Sequence, residues 1–157
     1  MASEVVGMNP TRLFAALVVA MVGALLVAVP VAGAAPIVSL EANLTGEQEV
    51  PGPGDRNGSG DAHLTVYRAK VCYTLLVEDI RRPIAAHIHE GRRGVAGPVV
   101  VELNTPRRVA GAFYFSKGCE RIDRSLSRDL RNHPAHYYVN VHNNPFPDGA
   151  VRGQLHK

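Results

Sequence analysis

The sequence predicts an all-β fold: an antiparallel β-sandwich of about eight strands with one short helix, preceded by a signal peptide. Three observations predict it. Short segments alternate apolar and polar residues with the two-residue period of a half-buried strand. Gly, Pro, Asn and Asp punctuate these segments at regular intervals. No strand pattern alternates with a long helical one, which disfavours a parallel α/β sheet.

The N-terminal residues read as a leader. Arg12 precedes an apolar run from Leu13 to Val29, and Ala32-x-Ala34 fits a small-residue cleavage site. Residues 1–34 are then the signal peptide and 37–156 the domain. Met1 and Met8 are both possible starts, Met8 giving the tidier basic lead-in. The competing reading is an uncleaved anchor, because the apolar run is near the lower length limit for crossing a bilayer. Either way the domain is placed outside the cytoplasm, secreted or at the cell surface, and meets a membrane only through this segment. The formal net charge is +3. The basic residues are dispersed pairs such as Arg81-Arg82 and Arg107-Arg108, without interleaved aromatics, which argues against nucleic acid as a partner.

In the domain, Val38, Leu40, Ala42 and Leu44 alternate with Ser39, Glu41 and Asn43, as in a strand with one buried face. Gly46 to Gly60 holds five Gly and two Pro and reads as a long loop. Ala62, Leu64 and Val66, then Val71, Tyr73, Leu75 and Val77, mark two faces joined by a tight connection at Ala69-Lys70, a hairpin. Ala85 to His89 leads into the basic loop Gly91 to Gly97, and Pro98 to Val101 continues as a strand. Thr105 to Arg108 reads as a turn and Val109 to Ser116 as one strand, with Gly111 marking a bulge or a tight approach. Asp123 or Ser125 caps a short helix that carries Leu126 and Leu130 and stops at Pro134. His136 to His142 is the next strand, Asp148-Gly149 a turn, and Ala150 to Leu155 the last strand.

Two cysteines, Cys72 and Cys119, are expected to form one disulfide, as an even pair does in an exported chain. Closing a loop of about 48 residues contributes about 4 kcal/mol by chain entropy. The alternative is a pair of buried thiols.

Part of the chain repeats. His89 aligns with His142, Ile88 with Val141, His87 with Asn140, and, after one gap, Gly97 with Gly149. Each unit is a hairpin with a histidine where its first strand enters the loop. His87 and His89 share a strand face, and His142, Asn140 and Tyr138 present a similar one. If the units lie side by side, His87, His89 and His142 converge on a Cu²⁺ or Zn²⁺ ion, for which neutral imidazole is a good ligand. The structural alternative is that each imidazole bonds a loop carbonyl with one nitrogen and a neighbouring side chain with the other, Asn140, Gly97 and Gly149 completing the units. On that reading there is no cofactor. His63, His133, His136 and His156 are scattered and read as surface or capping residues. No nucleophile motif surrounds any serine.

Two resemblances follow. His87-x-His89-Glu90-Gly91 is similar to the first copper-ligand motif of copper/zinc superoxide dismutases, over about six residues, but the zinc-loop ligands have no match in Gly91 to Gly97. A dismutase-like redox activity is the remotest expectation. Val71-Cys72-Tyr73, AAHIHEG at 85–91, GVAGPVVVEL at 94–103, YYVNVHN at 137–143 and DGAVRGQL at 148–155 together strongly resemble the chordin-type (CHRD) domain, from about Leu40 to Leu155. The resemblance implies a secreted β domain of the short, single-copy bacterial type, without catalytic residues. It implies a binding or structural module for an extracellular protein or cell-surface ligand. Its working surface is expected on the loops Gly91 to Gly97 and Asn143 to Gly149, with Arg92, Arg93 and Phe146 as contacts, Arg and aromatics being favoured at interfaces.

Overall fold

The computed structural model describes residues 36–157. The leader expected at residues 1–34, with its cleavage site and either start, lies outside them. Nine strands form one antiparallel sheet: β1 (Val38–Thr45), β2 (Ser59–Tyr67), β3 (Lys70–Glu78), β4 (Pro83–Glu90), β5 (Val99–Leu103), β6 (Arg107–Ala110), β7 (Phe113–Arg121), β8 (Tyr137–Asn143) and β9 (Phe146–Gln154). The single α-helix among the described residues is α1 (Arg124–Asn132). Strand order across the sheet is β5-β4-β8-β9-β1-β2-β3-β7-β6.

The all-β class and the short helix are as expected, with two differences. The ladder is unbroken from β5 to β6, so the two layers of the expected sandwich are the halves of one curled sheet. Its margins meet at Asn104, which follows β5. Its backbone N–H donates to the Tyr73 hydroxyl at 2.6 Å, and its side-chain amide donates to the Lys117 carbonyl at 3.1 Å. The second difference is the ninth strand. Gly111 takes φ +47°, a left-handed conformation that side chains resist, and turns the chain between β6 and β7. The expected single strand Val109 to Ser116 is therefore two, and Arg107 and Arg108 belong to β6 rather than to a turn.

The alternation in the early strands holds. Leu40, Ala42 and Leu44 on β1, Ala62, Leu64 and Val66 on β2, and Val71, Tyr73, Leu75 and Val77 on β3 all point into one buried cluster. β4, β5, β8 and β9 add Ala86, Ile88, Val101, Leu103, Val139, Val141 and Val151, and α1 adds Leu130. Cys72 and Cys119 are directly opposed on β3 and β7 and are bonded, linking positions 47 apart in sequence. Asp123 occupies the N-cap of α1 without a side-chain capping bond. Among the described residues no helix is long and apolar enough to cross a membrane.

Two loops depart from expectation in ways that build the site. The Gly46–Gly60 segment is folded back on itself: the Gly54 N–H donates to the Gly46 carbonyl and the Asp55 N–H to the Ala150 carbonyl, each at 2.8 Å. This carries Glu49 against β9, beside Gly149. Asn143 to Gly149 is not a loop. The turn is Asn144-Pro145, and Asp148 and Gly149 lie inside β9, where an added Cβ on Gly149 would overlap the Glu49 carboxylate.

Candidate functional site

Every residue of β8 is buried. Tyr137, Val139 and Val141 face the apolar core, so Tyr138, Asn140 and His142 must be covered on the other face. There the register lines up a polar row across five strands: Glu102 on β5, His87 on β4, Asn140 on β8, Arg152 on β9 and Thr45 on β1. The loop 91–98 closes over it, held by the side chains it covers. Arg152 donates to the Arg92 carbonyl at 2.9 Å and to that of Val95 at 3.0 Å, and Gln154 donates to the Gly91 carbonyl at 2.8 Å.

The repeat takes physical form here. The β4–β5 and β8–β9 hairpins lie side by side with β4 antiparallel to β8, and His87 faces Asn140 across the pair. A local two-fold through that pair carries His89, two residues on, onto His142, two residues on. Their bonds are equivalent: His89 Nδ1 is 2.9 Å from the Gly97 carbonyl, and His142 Nδ1 is 2.9 Å from the Pro147 carbonyl. Gly97 and Gly149 are not equivalent, since Pro147 supplies the second carbonyl and Gly149 packs against Glu49.

The bonds fix the protons. A carbonyl only accepts, so Nδ1 of His89 and of His142 carries the hydrogen and each Nε2 presents a lone pair. His87 is turned the other way. Its Nε2 lies 2.8 Å from the Glu102 carboxylate, so Nε2 donates, and in the neutral ring Nδ1 carries the lone pair. The rings converge: one nitrogen from each lies within 4.8 Å of the other two, and His87 Nδ1 and His142 Nε2 are 3.1 Å apart. His89 Nε2 is buried with no partner among the described residues. Burial, ahead of the neighbouring imidazoles, pushes the pKa values of His89 and His142 down, which keeps both rings neutral.

The stack behind His89 was not legible beforehand. The Tyr138 ring lies on His89 at 4.8 Å, nearly parallel, and the Arg152 guanidinium sits 3.4 Å over the Tyr138 ring. Tyr138 accepts from the Gly97 N–H at 3.2 Å. Asn140 donates to Glu49 at 3.2 Å. Burial pushes the Glu49 carboxyl up to about 7, against Arg152 and Asn140, which pull it down. Of the seven buried side-chain atoms without a partner among the described residues, five are on this covered face, in Glu49, His89, Asn140, Arg152 and Gln154. Such atoms cost about 1–3 kcal/mol each when nothing answers them, which makes this face the candidate site.

The surface residues expected to act together differ in burial. Arg92 and Arg93 are exposed on the outside of the covering loop, while Phe146 is half-buried and packed on the core. Glu49 and Arg152 were missed in the sequence. The one available sign was an arginine in the apolar closing strand, between Val151 and Gly153.

No curated protein and no solved structure matches the chain. The family model described as CHRD domain matches residues 40–155, which span every strand except the first two residues of β1, and every histidine except His156. The chain therefore belongs to the CHRD domain family.

Proposed function

We propose that this is an exported, non-catalytic module that binds one transition-metal ion, Cu²⁺ or Zn²⁺, through His87 Nδ1, His89 Nε2 and His142 Nε2. The observation that carries this reading is the proton count. The outer nitrogen of each ring faces an acceptor, so the inner nitrogens meet as lone pairs. Nitrogens 3.1 Å apart need a cation between them, either a proton on His87 Nδ1 donated to His142 or a metal ion held by all three rings, and the titration below separates the two. Metal–imidazole bonds of about 2.0–2.1 Å separate adjacent ligand nitrogens by roughly 2.9–3.4 Å, for angles from square to tetrahedral. Outer bonds to Gly97, Pro147 and Glu102 are the kind that orient metal-bound histidines and raise their basicity.

Copper or zinc titrated into tag-free protein is expected to bind at one tight equivalent and to raise the melting temperature, because the ion binds only the folded chain. His142→Ala should weaken that tight binding by at least about 100-fold, as removal of one of three ligands, and cancel the thermal shift. Equal affinity in the variant would remove the reading.

A further inference from the structure

The histidines that the sequence leaves scattered form a second cluster at the far end of α1. Asp129 and His133 are four residues apart and so share one helix face. Pro134 then opens a single 3-10 turn, Pro134–His136, closed by the His136 N–H donating to the His133 carbonyl at 2.9 Å. That turn lays the His136 ring on the His133 ring, centroids 5.3 Å apart and planes 15° from parallel. One ligand atom from each of Asp129, His133 and His136 lies within 4.8 Å of the other two.

We propose that Asp129, His133 and His136 form a second, half-buried surface site for a divalent metal ion of the Zn²⁺ class, independent of the buried centre. His133 Nδ1 lies 2.8 Å from Asp129 Oδ1, close to the separation of two ligands on one ion. The other carboxylate oxygen accepts from the Tyr137 hydroxyl at 2.6 Å, which orients the carboxylate from outside as ligating carboxylates generally are. That bond also lowers the Asp129 pKa, with His133 adding to it, so the acid stays ionised. The simpler account is a histidine–aspartate pair closing the helix C-terminus. The pair explains His133 but leaves the stacked His136 without a role. On metal binding the ion takes the place of the hydrogen bond between His133 and Asp129, and the neutral ring then carries its hydrogen on Nε2. Two imidazoles and one carboxylate at the surface leave coordination positions to water, so this site binds more weakly and exchanges faster than the buried one.

Calorimetric titration of Zn²⁺ alone into the tag-free domain separates the two. Wild type is expected to show a tight and a weaker class. The double variant His133→Ala with His136→Ala should keep the tight class and lose the weaker one by at least ten-fold, since His133 is exposed, His136 is half-buried, and neither belongs to the core. His142→Ala should do the reverse. Retention of the weaker class in the double variant overturns the proposal, as does a wild type whose only zinc binding is abolished by His142→Ala. Loss of the tight class alone from the wild-type trace would count against the buried centre and leave this site standing.

Discussion

Arg152→Met is expected to cost the domain about 3–5 kcal/mol, the largest loss from any single polar side chain in it. Arg152 is only 1% exposed. Methionine has the length to fill the space beside Tyr138, so the loss isolates charge and hydrogen bonding from packing. The Arg92 and Val95 carbonyls lose a charged donor each, and such bonds contribute about 1.5–3 kcal/mol apiece. For a domain of this size the melting temperature should fall by roughly 10–20 °C. The penalty should also grow with pH. Glu49 has a folded pKa of about 7, raised above its ordinary value of 4.5, so its contribution to stability is fully present below 4.5 and lost as pH rises through 7. Without the guanidinium its folded pKa moves higher still, and the variant goes on losing stability above pH 7 where wild type has levelled off. Denaturant melts of both proteins at pH 5 and pH 8.5 check this. A difference that is the same at both values would show that the Arg152 charge does not act on Glu49.

Gly97→Ala should cost about 3 kcal/mol and weaken metal binding at the same time. An added Cβ there would overlap the Glu90 carbonyl oxygen, a backbone atom that cannot rotate away. Glu90 donates its own N–H to the Pro98 carbonyl at 3.0 Å, so relief has to come from opening the base of the loop. That base holds the carbonyl to which His89 is bonded. Displacing it frees the imidazole to rotate, and loss of such an outer contact typically weakens metal binding 10–100-fold. Gly94→Ala is the control in the same loop. Gly94 has φ +78° and nothing within 4 Å of an added Cβ, so only backbone strain of about 1 kcal/mol is expected, with affinity unchanged. Equal losses in the two variants would mean that loop flexibility, not the His89 anchor, sets the affinity.

The strands whose one face meets the core were legible because burial imposes a two-residue period: Leu40, Ala42 and Leu44 could be read directly. Strand pairing was not, since alternation says which way a residue points and not which strand lies beside it. That is why one curled sheet read as a sandwich. Gly111 looked like a bulge and proved to be a turn, and Asp148-Gly149 looked like a turn and lies in a strand, because glycine permits the unusual backbone angle without saying what needs it. At the site, the repeat matched His89 with His142 and His87 with Asn140. It could not place Glu49, which arrives from a loop more than ninety residues away in sequence from Asn140, nor stack Arg152 on Tyr138. His133 and His136 have no common spacing in sequence, and only the turn at Pro134 brings them together.

The most direct test is a long-range ¹H–¹⁵N correlation spectrum of the three imidazoles with one equivalent of Zn²⁺ added. The structure predicts His89 and His142 protonated at Nδ1 and metal-shifted at Nε2, and His87 protonated at Nε2 and metal-shifted at Nδ1. Rings whose nitrogen shifts do not move on adding zinc, or a proton found on Nε2 of His142, would contradict the converging lone pairs from which the function is inferred.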